Sequence, residues 1–451
     1  MTAIHPDLYR QFNKNARWTL CGSICYESLK VIHCFLLLHL LPPTLYGLMG
    51  GLFSFIYLTT YIADLGLTNS IPPFLHIFAQ SRAAFKRFLI RYSLLPHLPF
   101  IIVCACVASV IVWFRYPSAP HGIIVVSLII LETIRSFLRV LLHTTFHARR
   151  IVVTELSLFL GFYLLGIWLP YLIFRYPLTL YHLFIPHLID SALCVGLFVW
   201  FSIRYYKTLP VVSEFHFPPS LPKRVISVRL FNYLLRVGRN FFTGNFLTPL
   251  FAVRFGLASA GLFYFASVTI SAMHAVVKGV ISYSGNALLA NVKNSTCIVK
   301  KDAFNVLCQK LVRIVLPVVL VLAINYKAIL RLSASHNTTQ YTLSLLLLYC
   351  VISFADFFFI LYEQFYIIEE AANRLFFFKL FEFVALYAVI SSPLVSSPVI
   401  VLLGLMCIRF VSFAVIAINA FYLWNIKPHF TTNLRYIMPW IIIATLLALV
   451  L

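Results

Sequence analysis

The sequence predicts an all-α polytopic membrane protein with about 12 to 13 transmembrane helices in two six-helix bundles. Of its 451 residues, 61% are hydrophobic and only 11% are charged, whereas soluble proteins carry roughly 25% charged residues. The apolar residues form continuous runs and do not alternate with polar ones, as they would in the strands of a membrane barrel. Backbone polar groups in lipid must be paired within their own segment, so these runs are expected to be helices.

Segments apolar enough to cross a bilayer occur along the whole chain, each with about the 20 residues that a spanning helix needs. They cover approximately residues 20–40, 46–67, 90–114, 121–144, 151–174, 180–203, 232–253, 257–281, 307–325, 341–362, 373–393, 398–424 and 436–451. The first has no cleavage site, so we expect a retained helix and not a signal peptide. The last is short, and whether it spans is left open.

A polar interval in mid-chain separates six of these segments from the remaining seven. Residues 204–225 contain four prolines and four Lys or Arg residues, a composition typical of a linker. We therefore expect an N-terminal six-helix bundle over 1–203, a cytoplasmic linker over 204–231 and a C-terminal six-helix bundle over 232–424. An additional hydrophobic segment over 425–451 follows.

The formal net charge of +22 is distributed unevenly along the chain. With a cytoplasmic N-terminus, about 25 of the 35 Lys and Arg residues fall in cytoplasmic loops or span ends, the asymmetry that sets membrane orientation. We expect these basic loops to meet anionic membrane lipids. No nucleic-acid partner is expected, because the chain has no basic soluble domain. The ten cysteines form neither a CxxC pair nor a Cys/His cluster, so no metal or other cofactor is expected.

The fourth segment carries a polar stripe, in which Glu132, Arg135, Arg139 and His143 recur at helical spacing on one face. Glu132 and Arg135 can pair across one turn. Charges at bilayer depth are costly and tend to face a cavity or a partner. We therefore expect Arg135 to face a cavity, while Arg139 and His143 either do the same or extend toward the cytoplasmic surface.

Basic side chains in three segments suggest an anionic cargo. A guanidinium group binds phosphate through two parallel hydrogen bonds, so Arg135, Arg139, Arg239 and Lys278 are the candidates for a phosphorylated headgroup. Lys278 also lies close enough to a span end to extend to the surface.

Acidic residues inside the spans are candidates for coupling transport to a cation. Glu382 can pair with Lys379 on its own helix. Asp190 and Asp356 have no basic partner on theirs. Either residue can be protonated by burial, bridge to another helix or bind the coupling cation, and the sequence leaves these three options open.

Two stretches form a weak internal repeat, which chance similarity of Gly- and Phe-rich helices would also explain. The first half contains YGLMGGLFSFIY from Tyr46, and the second contains SAGLFYFASVTI from Ser259. Internal repeats are a common basis of transporter folds.

The region around the second segment resembles a known family. The motifs are Tyr46-Gly47 at the start of the segment, Asp64-Leu65-Gly66-Leu67 at its end, and the basic loop with Arg82, Lys86 and Arg87. Together they resemble the polysaccharide-biosynthesis branch of the multidrug/oligosaccharidyl-lipid/polysaccharide (MOP) exporter superfamily. The likeness covers about 13–91 and 236–290. Thirteen segments depart from the twelve or fourteen usual in that family.

The resemblance implies two bundles in a V around a central cavity, as in MATE transporters, and a role for Asp64 in the transport cycle. It also implies a flippase in the inner (cytoplasmic) membrane. The cargo would be a polyprenyl-pyrophosphate-linked oligosaccharide, moved to the outer leaflet by alternating access, with other polysaccharide-assembly proteins as candidate partners. No catalytic residue is assigned. The alternatives are a MATE-like small-molecule or drug antiporter and a membrane-embedded glycan-modifying enzyme.

Overall fold

The computed structural model describes most of the chain as helix, and the described residues contain no strand. The described residues are 6–68, 78–115, 122–145, 147–175, 177–211, 221–240, 242–280, 372–392 and 396–424, with short pieces between 300 and 366. The predicted segments 307–325, 341–362 and 436–451 lie wholly or largely outside them. The expected all-α polytopic class is confirmed.

The helices of the first half follow one another with short connections. They are α1 (Pro6–Leu40), α2 (Pro43–Asp64), α3 (Arg82–Tyr92), α4 (Leu94–Arg115), α5 (Gly122–Thr144), α6 (Ala148–Leu158), a π-helical turn (Phe159–Leu164), α7 (Leu165–Phe174) and α8 (Leu180–Thr208). After them come α9 (Leu221–Asn240), α10 (Gly244–Phe255), α11 (Leu257–Val280), α12 (Ala372–Ser391) and α13 (Pro398–Trp424).

Within the described residues, 6 helical stretches are long and apolar enough to cross a membrane. They are Arg17–Leu40, Pro43–Asp64, Arg82–Phe114, Ala148–Phe174, Leu180–Thr208 and Pro398–Leu423. Each overlaps a segment predicted from the sequence. Helix α5 is equally long, but the polar stripe that begins at Glu132 gives it four ionisable side chains.

The predicted span over 232–253 is wrong as a single helix. Helix α9 ends at Asn240, and α10 begins only at Gly244, after Thr243 with an extended backbone. Proline usually breaks or kinks a helix, but Pro249 stands inside α10. It lies in the second turn, where the missing N–H of proline removes only one backbone hydrogen bond.

The described chain divides into two compact units. The first comprises Met1–Gly22 and Met49–Phe241, and the second comprises Ser23–Leu48 and Phe242–Leu451. The hairpin between α1 and α2 therefore groups with the second half of the chain. The domain boundaries expected near 203 and 232 stay a prediction.

In the first unit, α5 and α8 pack on each other, and α3 lies on their ends. Ser81 immediately precedes α3 and caps it, because its Oγ accepts a hydrogen bond from the Ala84 N–H at 3.1 Å. This is the usual cap of a helix N-terminus. Its aromatic side chains Phe85 and Phe88 are buried against Phe137 and Phe198 of the two longer helices. The packing fixes α3 at one end of the unit.

In the second unit, the two halves of the weak repeat meet. A Cβ atom added to Gly47 would overlap the carbonyl oxygen of Leu257, and one added to Gly261 would lie against the backbone of Gly47. The rings of Tyr46 and Tyr264 pack at 5.9 Å between centroids. Small residues allow such close approach of membrane helices, so α2 and α11 cross at these glycines.

Candidate functional site

Arg135 is the centre of a buried group of charges in the first unit. Its Nη1 donates to Glu132 Oε1 at 3.2 Å and to Asp190 Oδ2 at 3.1 Å. Its Nε lies 3.6 Å from Glu155 Oε1. These carboxylates belong to α5, α6 and α8, so the arginine joins three helices. We call Glu132, Arg135, Arg139, Glu155 and Asp190 the first ion cluster.

Arg139 is the accessible member of this cluster. Its Nε donates to Glu155 Oε1 at 2.7 Å, and its Nη2 pairs with the same oxygen. The side chain is nevertheless 42% exposed, whereas that of Arg135 is 5% exposed. An added anion can therefore reach the Arg139 guanidinium, while Arg135 is enclosed by carboxylates.

A histidine lies beside the acidic side of the first ion cluster. His187 Nε2 is 3.8 Å from Glu132 Oε1 and 3.4 Å from the Tyr57 hydroxyl. The rings of Phe53 and Tyr163 pack edge-on against it at 5.3 and 5.5 Å. Tyr163 belongs to the π-helical turn Phe159–Leu164. Such turns are frequent at functional sites, and this one begins four residues after Glu155.

Arg409 organises a second buried group of charges, in the second unit. Its Nη1 donates to Glu382 Oε1 at 2.7 Å, and its Nη2 lies 2.7 Å from Asp356 Oδ1. Lys379 Nζ donates to the other oxygen of Glu382 at 2.9 Å, which is the pair expected from the sequence. Buried Glu363 acts electrostatically on both bases. These five residues form the second ion cluster.

Aromatic rings complete the surroundings of the second ion cluster. The Arg409 guanidinium lies 3.9 Å from the ring centroid of Phe242, and the Lys379 ammonium lies 3.7 Å from that of Phe359. Cation–π contacts of this kind strengthen when water is excluded. Both bases are therefore held by carboxylates on one side and by a ring face on another.

Among the described residues, each ion cluster combines two bases with three carboxylates. An uncompensated charge inside a membrane protein is costly. In the first ion cluster, a proton on His187 or on a carboxylate would balance the charges of the described residues. In the first ion cluster, Asp190 Oδ1 is buried and receives no hydrogen bond from the described residues.

Asp64 lies at the C-terminal end of α2 and shapes the turn that follows. Its two carboxylate oxygens accept from the backbone N–H of Thr68 at 3.2 Å and from the Thr68 hydroxyl at 2.9 Å. Leu65 and Gly66 have positive φ angles of 42° and 73°. Asp64 therefore stabilises the turn that ends α2, and its role in the transport cycle stays a prediction.

The structure brings together Arg135, Arg139 and Asp190, and it places Asp356 in the second ion cluster. Arg239 lies in α9 and Lys278 in α11, but their side chains are outside the described part of the chain. No group of three metal-binding side chains occurs among the described residues.

Sequence reasoning missed Arg409 and Ser191. Ser191 Oγ donates to Glu132 Oε1 at 2.6 Å. Arg409 is a single charge in an otherwise apolar run of α13. That isolation was the available signal, because a lone arginine in a span needs an acidic partner on another helix.

No protein-family model matches the sequence, and no curated protein matches it. Solved structures do match. A MATE transporter in the straight conformation has a TM-score of 0.62 at 13% identity, covering 91% of this chain and 95% of that one. An inward-facing multidrug resistance MATE family transporter of the MOP superfamily has a TM-score of 0.59 at 13% identity, covering 90% and 94%.

A MOP superfamily transporter from Pyrococcus furiosus is also similar, with a TM-score of 0.55 at 12% identity, covering 90% of this chain and 94% of that one. Its description states that the reverse polarity of its binding pocket suggests a different function. At these identities the comparisons show the fold. The chain has the fold of these MATE transporters.

Proposed function

We propose that this protein is an alternating-access flippase. It moves a polyprenyl-pyrophosphate-linked oligosaccharide from the cytoplasmic to the outer leaflet of the inner membrane, for cell-surface polysaccharide synthesis. The observation that carries transport is the fold, which this chain shares with MATE transporters solved in inward-facing and outward-facing conformations. The choice of cargo rests on the sequence resemblance at Tyr46-Gly47 and Asp64–Leu67 and on the bases within the spans.

Arg139 is the candidate that the geometry favours for contact with the pyrophosphate. It is the exposed base of the first ion cluster, and a guanidinium paired on one side retains further N–H donors for a phosphate. Arg135 contacts three carboxylates, so its role in this proposal is to hold α5, α6 and α8 together. Arg239 and Lys278 remain candidates for the same headgroup.

We also propose that transport is coupled to a cation gradient, and buried carboxylates support this part of the proposal. Asp356 of the second ion cluster stays a candidate for this role. Asp190 lies in the first ion cluster with two other carboxylates and two arginines, and its buried Oδ1 accepts no hydrogen bond from the described residues. Binding a proton or sodium ion would neutralise that cluster, and releasing it on the other side of the membrane would make the two conformations differ in energy.

The test depletes the protein in its source organism and follows the lipid-linked glycan with leaflet-selective labelling. We expect the glycan to accumulate in the cytoplasmic leaflet and the surface polysaccharide to be lost. Complementation with Arg139→Gln should restore the amount of protein but slow transport roughly tenfold, the value of one charge-assisted hydrogen bond. The exposed Arg175→Gln is the matched control and should transport normally.

An unchanged leaflet distribution with intact surface polysaccharide would contradict the cargo, once redundant flippases are deleted. The second candidate, a small-molecule antiporter, is favoured by the buried carboxylates of the first ion cluster, among them Asp190. In that case depletion would raise sensitivity to cationic drugs and leave the glycan lipid unaffected. Normal transport by Arg139→Gln would refute only the assignment of that residue.

A further inference from the structure

Helix α3 is a short amphipathic helix with a basic outer face. Its inner face, Ala84, Phe85 and Phe88, is buried in the core of the first unit. Its outer face is exposed and consists of Lys86, Arg87, Ile90 and Arg91. Because the aromatic face packs on the protein core, the basic face is the one that α3 presents to its surroundings.

The ends of two long helices extend this basic face. Helix α3 is fastened to the C-terminal end of α8, because Arg82 Nε donates to the Leu209 carbonyl at 3.0 Å and Phe85 packs on Tyr205. The start of α6 is adjacent, since His147 also packs on Tyr205 at 5.8 Å between ring centroids. We call the exposed bases gathered there the basic rim: Lys86, Arg87, Arg91, Arg149, Arg150 and Arg204.

Two of these arginines stack on aromatic rings of α8. The Arg204 guanidinium lies 4.4 Å from the Trp200 ring and that of Arg150 lies 5.5 Å from Phe201. Stacking uses the face of the guanidinium and leaves its in-plane N–H groups directed outward. Trp200 and Ile203 are themselves exposed, so an exposed apolar surface adjoins the bases.

Negative charge does not offset the rim within the described part of the first unit. The carboxylates described there, Asp64, Glu132, Glu155 and Asp190, are all buried. The exposed charges described at this end are therefore of one sign, and their field attracts anions. Each base near a membrane surface contributes roughly 1 kcal/mol of attraction to anionic lipid, over a range of one Debye length.

We propose that the basic rim binds the headgroups of anionic phospholipids, with α3 lying in the headgroup layer. The adjoining exposed Trp200 and Ile203 favour a lipid over a nucleic acid or an acidic peptide, because only a lipid supplies acyl chains beside its phosphate. The bound lipid would also stabilise the position of α9, which contacts α3. Arg229 of α9 donates from Nη1 to the carbonyl of Tyr92, the last residue of α3, at 3.2 Å.

The test uses the full chain purified from membranes and reconstituted with two lipid mixtures, phosphatidylcholine alone and phosphatidylcholine with phosphatidylglycerol. Native mass spectrometry then counts the phosphatidylglycerol retained per protein. We expect the triple variant Lys86→Gln/Arg87→Gln/Arg91→Gln to weaken retention at least roughly tenfold. Phosphatidylglycerol should also slow hydrogen exchange in α9 of the unaltered protein.

Two controls separate charge from folding. The charge-preserving variant Lys86→Arg/Arg87→Lys/Arg91→Lys and the exposed Arg175→Gln should both retain phosphatidylglycerol like the unaltered protein. If the triple Gln variant does not fold, Arg149→Gln/Arg150→Gln tests the neighbouring part of the rim. Equal retention by the neutral and the charge-preserving variants would overturn the proposal. The assay contains no glycan lipid, so its outcome is independent of the proposed cargo.

Discussion

Arg409 shows how burial decides the energetics of a single side chain. It is 1% exposed and contacts carboxylates from two other helices, with Asp356 and Glu382 both at 2.7 Å. The pair of Lys30 and Glu27 on one helix is looser, at 3.9 Å, and its side chains are 29% and 19% exposed. A buried charge that loses its partner costs far more than a surface pair contributes, because water cannot replace the missing contact.

We therefore expect Arg409→Gln to destabilise the protein by about 3–5 kcal/mol, since it leaves buried carboxylates without compensation. Denaturation in mixed detergent micelles measures this loss. The control Arg175→Gln, at an exposed arginine, should change stability by less than about 1 kcal/mol. Equal effects of the two substitutions would show that the second ion cluster is not closed to water.

At the scale of elements, the end of α2 depends on one glycine. Gly66 has a φ angle of 73°, and a Cβ atom there would overlap the carbonyl oxygen of Arg229 in α9. Helix α9 thus packs on the backbone of the Asp64-Leu65-Gly66 turn. Glycine at this position both adopts the left-handed conformation and permits the close approach.

Gly66→Ala is expected to destabilise the first unit by about 1–3 kcal/mol, because strain in the left-handed region adds to the overlap with α9. The control is Gly196→Ala in α8, where an added Cβ meets no atom within 4 Å. That substitution should be neutral or stabilising, as alanine favours a helix interior. Thermal unfolding of the two variants in detergent measures the difference. Equal unfolding temperatures would show that α9 does not pack closely on Gly66.

At the scale of the whole molecule, the basic side chains set the expected orientation in the membrane. Helix α8 has its N-terminus at Leu180 and its C-terminus at Thr208, so these two ends face opposite sides if it spans. The basic rim lies at the Thr208 end. By the excess of Lys and Arg on the cytoplasmic side, this end is predicted to be cytoplasmic.

The orientation is tested with a membrane-impermeant maleimide, in a background where the native cysteines are replaced by serine. Thr179→Cys should be labelled in intact cells, whereas Thr208→Cys should be labelled only after the cells are opened. Both residues are exposed, so access to reagent is not limited by packing. The reverse labelling pattern would place the N-terminus and the basic rim outside.

Contacts within one helix were predictable from the sequence, because helical spacing alone places residues three or four apart on one face. The pairs Glu132–Arg135 and Lys379–Glu382 are examples, at 3.2 and 2.9 Å. The helical class followed in the same way from the length of the apolar runs. The break before α10 did not follow, because it depends on the backbone at Thr243 and not on Pro249.

The partners of Asp190 and Asp356 required the tertiary structure. Arg135 is separated from Asp190 by 55 positions in the chain. Arg409 and Asp356 are likewise far apart in the sequence, although their side chains are in contact. Spacing determines which face of a helix is polar, but the rotation and depth at which helices pack determine which charges meet. By itself the sequence determined that this is an α-helical membrane protein with costly charges in its spans. Only the packing decided that charges from different helices meet in two clusters, around Arg135 and around Arg409.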